Sequence, residues 1–552
     1  MGSHRIRRSL LISAAAAAAV GGGARAGTAA ASNTQQSIFS DGTPELLSDP
    51  EVTLSTLRTL GVTTLRAFVP WASIAPRSSS RKPPKGFLAS DPAAYPKGAW
   101  KPFDVLVRVA KADGIQLLME PTSPAPMWAV GRAPRGIGSH NPATWMPSAQ
   151  EFGKFVRALG ARYSGSYDPR VHANRPGNTN DLPRISFWSV WNEPNFGPDL
   201  TPQARHGIEV SAPEYRSLVD QTRNGLRASG HGDDTILFGE LAARGSVVPG
   251  IANSTDPLRF LRAMYCVDSS YRPLRGEAAL VRHCPATAAK SRLFVKNNPA
   301  LFQASGYAAH PYTVGETGPP NIPSTSEHPD WAGFADMPRL IRTLDRLTAI
   351  YHSRHHFPVY ITELAFQTSP PKLNCRCSSP ATAAYYMNWA EYLSWRNPRV
   401  ASYAQYQLAD LPRREVPVHG RYSFWASGLI APGGLPEPAY DAFRLPLYMP
   451  KTLTVRGRAL SVWGDVRPAS YAAADSDAPQ RAQIQFRLRS RGAWTTLRTV
   501  KITNRRGYFD VRLVFPQSGS VRLRWSYPLG FTGNAARYPD AIVSRTQTIT
   551  VR

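Results

Sequence analysis

Short apolar runs rich in β-branched and aromatic residues alternate with longer segments of helical period from about residue 36 to residue 450. This alternation is typical of repeated βα units. Eight buried strands are predicted, over Ser37–Phe39, Thr63–Phe68, Ile115–Glu120, Ile185–Trp191, Ile236–Glu240, Ser305–His310, Val359–Glu363 and Ser402–Gln407.

Helical segments lie between these strands, and one of them shows the pattern clearly. Leu340, Ile341, Leu344, Leu347 and Tyr351 form one apolar stripe, as a helix that covers a sheet requires. The predicted helices cover Val52–Leu60, Phe103–Ala112, Ala149–Tyr163, Pro213–Ala228, Pro257–Tyr265, Met337–His352 and Ala381–Trp395. Eight such units predict an α/β fold, a (β/α)₈ TIM barrel over residues 34–450, whose chemistry lies at the carboxyl ends of its strands.

The apolar period changes to two after Pro450. Ile484, Phe486 and Leu488 alternate with polar residues, and so do Val521, Leu523 and Trp525. Strands with one apolar, buried face are typical of an antiparallel sheet that packs on a second sheet. We therefore expect a C-terminal antiparallel β-sandwich at residues 451–552, with a hairpin turn at residues 504–507 joining 500–503 to 508–514.

The first 26 residues have the pattern of a secretory signal peptide. Arg5, Arg7 and Arg8 precede the apolar run 10–20, and residues 24–26 read Ala-Arg-Ala. The run is too short to predict stable insertion in a membrane. A secreted, extracellular protein beginning near Gly27 is expected, with attachment to a cell wall left open.

Four cysteines fit two disulfides in an exported chain. The spacing favours Cys266 with Cys284 and Cys375 with Cys377. A bridge between positions two apart is tight, so crossed or free arrangements stay open. A zinc site is the competing interpretation, but the Cys-Arg-Cys motif lacks a second pair of ligands at a metal-binding spacing.

The charge balance is strongly basic, at +27 over 552 residues. Residues 451–552 carry 18 Lys and Arg against five Asp, a net charge of +13. This last fifth of the chain therefore carries about half of the net positive charge. Such a surface attracts polyanions, including acidic glycans, through a salt-sensitive field, and predicts no specific nucleic-acid partner. Only 11 of the 65 basic residues are Lys, so a general bias towards Arg on solvated faces is the plainer explanation.

Two carboxylates end predicted strands and are the strongest signal for chemistry. Glu193 ends the apolar run that reads Phe-Trp-Ser-Val-Trp-Asn-Glu-Pro-Asn, and Glu363 ends the strand at 359–363, three strands further round the barrel. Because the carboxyl ends of barrel strands meet at one face, both acids can face one pocket. Taken singly, Glu193 could be a helix N-terminal acid and Glu363 the partner of a barrel arginine.

With these residues the chain resembles the clan A retaining glycoside hydrolases, which carry Asn-Glu at the end of strand four and Glu at the end of strand seven. The Trp-Asn-Glu-Pro-Asn form is similar to that of family 39 and some family 5 enzymes. Arg66, His310 and Tyr312 lie where such enzymes place residues around the nucleophile. The resemblance implies that Glu193 is the acid/base and Glu363 the nucleophile of a retaining double displacement on a polysaccharide or oligosaccharide, an acidic one included.

The same resemblance implies sugar contacts by Asn192, which would bind the hydroxyl at C2, and by Trp425 after strand eight. Trp128 is a further aromatic candidate, and Arg66, His310 and Tyr312 complete the predicted binding set. Each has an ordinary structural alternative: packing for the tryptophans, an internal ion pair for Arg66 and a satisfied core histidine for His310. No cofactor and no metal is expected, since two carboxylates and water complete the reaction.

Three other functions fit the same sequence. A transglycosidase would use identical residues and pass the sugar to another sugar. A catalytically silent carbohydrate-binding or wall-attached protein could keep the barrel as a scaffold. A polyanion-binding adhesion protein would depend on the net charge of +13 at residues 451–552. We expect the protein to be a monomer.

Overall fold

The computed structural model describes residues 34–134, 141–174, 177–246, 248, 250–372, 375–410, 425–488 and 492–552. The predicted signal peptide, residues 1–26, lies outside these residues.

Eight parallel strands close into a barrel in which every strand pairs with its neighbours in chain order. The strands are β1 (Gln36–Ser40), β2 (Thr64–Pro70), β3 (Gln116–Thr122), β4 (Phe187–Trp188), β5 (Thr235–Ala242), β6 (Gly306–His310), β7 (Val359–Ile361) and β8 (Val400–Tyr406). The pair that closes the ring is β1 with β8, with Gln36 opposite Ser402. The predicted (β/α)₈ fold is confirmed.

Helices cover the outside of the barrel. They are α1 (Pro50–Thr59), α2 (Lys101–Ala112), α3 (Ala149–Arg162), α4 (Ser211–Ala228), α5 (Pro257–Met264), α6 (Met337–Ile350), α7 (Pro380–Trp395) and α8 (Pro438–Arg444). In α6 the predicted stripe of Leu340, Leu344 and Leu347 is buried against the strands. A proline lies in the first turn of α1, α2, α5, α6, α7 and α8. At this position its missing N–H costs no helical hydrogen bond.

Two sheets follow the barrel and form the predicted β-sandwich. Their strands are β9 (Leu447–Tyr448), β10 (Leu453–Thr454), β11 (Leu460–Asp465), β12 (Arg481–Arg487), β13 (Thr495–Lys501), β14 (Tyr508–Leu513), β15 (Gly519–Ser526), β16 (Ala541–Val543) and β17 (Gln547–Val551), with α9 (Ala469–Ser476) between β11 and β12. One sheet has the order β9-β11-β14. The other has the order β10-β17-β15-β12-β13, with β16 on β15.

The predicted hairpin at residues 504–507 is wrong. β13 pairs with β12, whereas β14 pairs with β11 in the other sheet, so these residues carry the chain from one sheet to the other. Gly507 has φ +95°, and a Cβ there would lie 2.2 Å from Asp465 Oδ1. Close approach to β11, and not a return to β13, sets the conformation of this turn.

The barrel and the sandwich share a buried junction. Tyr392 and Trp395 of α7 pack with Tyr448, Trp463 and Tyr508 of the three-stranded sheet. Beside them Arg467 Nη2 donates to both oxygens of Glu391, at 2.7 and 2.8 Å, and both side chains are almost completely buried. The sandwich is therefore continuous with the barrel core.

Cys266 is bonded to Cys284, and Cys375 to Cys377, as the favoured pairing predicts. Over the described part of the chain, no helix has both the length and the apolar character that crossing a membrane demands.

Candidate active site

Arg66, on β2, is the centre of a buried polar cluster at the carboxyl ends of the strands. Its Nε and Nη2 donate to the two oxygens of Glu120 on β3, at 2.8 and 3.0 Å. Its Nη1 donates to Glu363 Oε2 at 2.7 Å, and Nη2 also donates to Asn192 Oδ1 at 2.9 Å. A planar guanidinium with five N–H donors can join strands two, three, four and seven in this way.

His310, the last residue of β6, connects the other carboxylates. Nδ1 lies 2.9 Å from Glu193 Oε1, and Nε2 lies 2.7 Å from Glu240 Oε2. Glu240 also accepts hydrogen bonds from Ser189 and Thr362, and its Oε2 lies 3.3 Å from Arg66 Nη2. Both ring nitrogens of His310 are therefore used inside the protein, which favours a positioning role over the sugar contact expected from the sequence.

Depth separates this cluster into two layers. Arg66, Glu120, Glu240 and His310 have no exposed surface. The side chains of Glu193 and Glu363 keep 16% and 11% of their surface exposed. The lower layer thus cannot reach a ligand, whereas the two carboxylates predicted to react can.

Glu193 and Glu363 face one gap. One oxygen of each, together with a nitrogen of His310, lies within 4.8 Å of the others. Glu363 follows β7 by two residues, and its Oε1 accepts a hydrogen bond of 2.7 Å from the Tyr312 hydroxyl. The sequence-predicted set of Arg66, His310, Tyr312 and the two acids is thus brought together.

The environments of the carboxyl groups differ. Burial raises the pKa of Glu193, and the hydrogen bond and charge of His310 only partly offset this effect. Burial would also raise the pKa of Glu240, but the charge of Arg66 and the hydrogen bond from His310 lower it to about 2. At neutral pH Glu240 is therefore ionised, whereas the pKa of Glu193 lies above its ordinary value.

His310 itself is cationic. Burial would lower its pKa, but the negative charge of Glu363 and the hydrogen bonds to Glu193 and Glu240 raise it to about 10. Among the described residues, Glu193, His310 and Glu363 form the group whose donor atoms lie close enough to hold a metal ion. An imidazolium has no free lone pair, so His310 in this state is a hydrogen-bond donor and does not suit a metal ligand.

The backbone around Glu193 has an unusual conformation. Trp191 has φ +59°, Glu193 +38° and Glu240 +49°. The left-handed region is uncommon for such residues and collects at functional sites. It also explains why β4 ends at Trp188, earlier than predicted, although Ser189 N and Trp191 N still donate to the Met119 and Pro121 carbonyls of β3. These turns aim Glu193 at the gap.

Asp199 is a site residue that the sequence analysis missed. Its Oδ2 accepts from Asn192 Nδ2 at 3.0 Å and its Oδ1 accepts from the Ser123 hydroxyl at 3.2 Å. Burial, and then the charge of Glu193, raise the pKa of Asp199 to about 8. Asn192 is consequently held between Arg66 and Asp199, with a second Nδ2 hydrogen for the predicted sugar contact.

The two predicted tryptophans differ in position. The Trp425 ring lies edge-on to Tyr312, with 5.2 Å between centroids, and its buried indole nitrogen has no hydrogen-bond partner among the described residues. Trp425 therefore lies next to the residue that holds Glu363. Trp128 packs edge-on against Trp71 and Phe87 and donates to the Pro76 carbonyl, so its predicted sugar contact stays a prediction.

The sequence matches no protein-family model and is similar to no curated protein. Among solved structures it is similar to a family 39 glycoside hydrolase from the gut symbiont Bacteroides cellulosilyticus WH2, with 14% identity, 87% of this chain and 80% of that chain covered, and a TM-score of 0.44. A glucosidase from Croceicoccus marinus has 10% identity, coverages of 90% and 89%, and a TM-score of 0.41. An endo-beta-1,4-mannanase from Thermotoga petrophila has 12% identity, coverages of 94% and 98%, and a TM-score of 0.39. Similarities this low assign neither a family nor an activity to this chain.

Proposed function

We propose that the protein is a glycoside hydrolase that cleaves a polysaccharide or oligosaccharide with retention of anomeric configuration. The observation that carries this proposal is the shared gap, in which oxygens of Glu193 and Glu363 lie within 4.8 Å. Retaining enzymes hold their two carboxyl groups about 5–5.5 Å apart, whereas inverting enzymes separate them by roughly 6.5–9.5 Å to admit water. The spacing here supports direct attack by a carboxylate.

In the first step Glu363 attacks the anomeric carbon and the bond to the departing oxygen breaks. Arg66 and Tyr312 each donate to one oxygen of Glu363, an arrangement suited to an anionic nucleophile. Glu193 gives its proton to the departing oxygen. Because His310 occupies Oε1 of Glu193, that proton belongs on Oε2.

In the second step water replaces the enzyme on the sugar. Once Glu363 is a neutral ester, its repulsion of an anionic Glu193 disappears, and Glu193 takes a proton from water. The resulting oxygen nucleophile attacks the anomeric carbon and releases Glu363 as a carboxylate. Both carboxyl groups then return to their starting states without a cofactor.

Asn192 and Trp425 are the sugar-binding residues in this proposal. Asn192 would donate its second Nδ2 hydrogen to the hydroxyl at C2, a contact that strengthens in the transition state. Trp425 would offer the partly exposed part of its ring beside Glu363. Trp128 would contact a sugar only through its ring, because its indole hydrogen is already donated to the Pro76 carbonyl.

We also propose that the protein is secreted. The support comes from the signal-like residues 1–26 and from two disulfides, since disulfides persist mainly in oxidising compartments. N-terminal sequencing of protein recovered from culture medium should begin near Gly27.

A panel of glycans screened with the wild type tests the enzymatic proposal. Products should keep the anomeric configuration of the substrate when followed by NMR from the first turnovers. Glu363→Gln should lose about three orders of magnitude or more in kcat, because an amide cannot act as the nucleophile. Glu51→Gln, an exposed acid in the first turn of α1, is the matched control and should keep full activity. Inverted products, or an active Glu363→Gln, would contradict the mechanism.

A further inference from the structure

The outer face of the six-stranded sheet collects positive charge. On β12 and β15, Ala482, Ile484, Phe486, Val521 and Leu523 are buried, so their neighbours in the alternation point outwards. Five cations share this outward face: Arg481, Arg487, Lys501, Arg522 and Arg524. We call these five residues the cationic face. They are a cluster on one surface and not the even scatter that a bias in composition would produce.

Within the described residues, carboxylates do not balance the cationic face, because none of its five members has a carboxylate oxygen within 4.0 Å. Arg481 lies directly opposite Lys501 on the neighbouring strand, a like-charge pair that weakens a sheet. The pKa of Arg522 is lowered, by burial first and then by the charges of Arg487 and Arg524. This surface would be stabilised by an anion.

Contacts with neighbouring side chains also fix the orientation of two guanidinium groups of the cationic face. The guanidinium carbons of Arg487 and Arg522 lie 4.6 and 4.1 Å from the centre of the Trp494 ring. Arg522 Nε donates to Gln485 Oε1 at 2.9 Å, which leaves its terminal nitrogens available for a ligand. Held guanidinium planes suit bidentate recognition of carboxylates.

The arrangement favours an acidic polysaccharide over a nucleic acid. Strands repeat their outward side chains roughly every 7 Å along the strand and about 5 Å across the sheet, which gives a flat array for an extended polymer. Proteins that bind single-stranded nucleic acid need free aromatic faces for base stacking, whereas the ring of Trp494 is covered by arginine.

We propose that the cationic face binds a polysaccharide that carries carboxylate groups, at a site separate from the Glu193–Glu363 gap. The choice of a polysaccharide among carboxylate polymers rests on the proposed function of the barrel, but binding at this face does not require catalysis. Gel retardation separates the binding proposal from the hydrolase proposal. The full chain carrying Glu363→Gln is run in gels that contain polygalacturonate or neutral dextran. Loss of retention would leave the hydrolase proposal intact, and retention without any hydrolase activity would leave this proposal intact.

The test compares two triple variants that remove the same charge from the same domain. The first changes three members of the cationic face: Arg487→Gln, Arg522→Gln and Arg524→Gln. The matched control changes three exposed arginines outside the face: Arg456→Gln, Arg458→Gln and Arg552→Gln. We expect retention by polygalacturonate but not dextran, an affinity about tenfold or more weaker in the first variant, and less than about a twofold change in the control.

Should the first triple variant fail to fold, Arg481→Gln with Lys501→Gln removes two exposed members and keeps the two arginines that pack on Trp494. Affinity for polygalacturonate should again fall, and the dependence on salt should become shallower. Equal weakening by the control variant would mean a diffuse charge effect and would overturn the proposal. So would tighter binding of oligo(dT) than of polygalacturonate, or no retention at about 50 mM salt.

Discussion

The hydrogen bond from Tyr312 to Glu363 allows a quantitative test of the proposed two-step mechanism. Tyr312→Phe keeps the ring that packs edge-on against Trp425 and removes only the hydroxyl that donates to Oε1 at 2.7 Å. Tyr312 and Glu363 are both largely buried, so water cannot fully replace the donor. A hydrogen bond to a charged group contributes about 1.5–3 kcal/mol.

The two steps should respond differently. In the first step Glu363 loses its charge, so removing the donor destabilises the starting carboxylate more than the transition state, and the rate should hold or rise. In the second step Glu363 leaves as a carboxylate and gains charge. If half of the charge has developed in the transition state, the lost energy is about 0.75–1.5 kcal/mol, which slows release of the sugar about 4- to 13-fold.

Stopped-flow kinetics on an aryl glycoside of the sugar found in the glycan panel would measure both steps. A good leaving group makes the second step limiting, so Tyr312→Phe should keep the burst rate, lower kcat by that factor and lower KM with it. Tyr271→Phe, which loses a hydroxyl contact with Thr343 in the helical layer, is the control and should change neither rate. A slower burst with an unchanged second step would refute the reasoning.

Two further predictions concern buried charges. The pKa of His310 is about 10, above its ordinary value of 6.5, so its ion pairs stabilise the fold fully below about pH 6.5 and this stabilisation is lost as the pH rises towards 10. The thermal unfolding midpoint of the wild type should therefore fall over that range more steeply than that of His310→Gln. Arg467→Met would leave Glu391 and Asp465 buried without their cation and should cost about 3–5 kcal/mol, measured as a lower unfolding midpoint at pH 7.

A surface ion pair and an exposed arginine supply the controls for these two variants. His356 pairs with Asp345 at 3.0 Å but is 63% exposed, so His356→Gln should leave the pH dependence of unfolding unchanged. Arg505→Met removes an exposed arginine and should shift the midpoint by much less than Arg467→Met. Parallel pH curves for the wild type and His310→Gln would contradict the charge assigned to His310. An unchanged midpoint in Arg467→Met would contradict the role of the junction pair.

The parts of the site that the sequence predicted are those set by barrel geometry. Arg66, His310 and Glu363 lie on or just after strands whose carboxyl ends must meet, so their strand positions alone place them together. The alternation of strands and helices predicted all eight barrel strands for a similar reason. The register of the strands in a closed parallel barrel fixes where their carboxyl ends lie. Residues at these ends therefore have little freedom of position.

The parts that the sequence did not predict depend on contacts between distant segments. Asp199 lies in a loop with no periodic pattern, and only the path of that loop brings it to Asn192 and Ser123. The turn before β14 contains Asn and Gly as a hairpin would, but packing of Tyr508 with Trp463 directs the strand to the other sheet. Local turn preferences are outweighed there by burial of aromatic rings.

The aromatic junction between α7 and the three-stranded sheet limits how the gene can be shortened. A polypeptide that stops at Pro450 would end beside rings of Tyr392 and Trp395 that Trp463 and Tyr508 normally cover. It would also leave Glu391 without its ion-pair partner, the guanidinium of Arg467. Such a fragment should aggregate when expressed, and recombinant work on the barrel therefore needs the C-terminal sandwich as its partner.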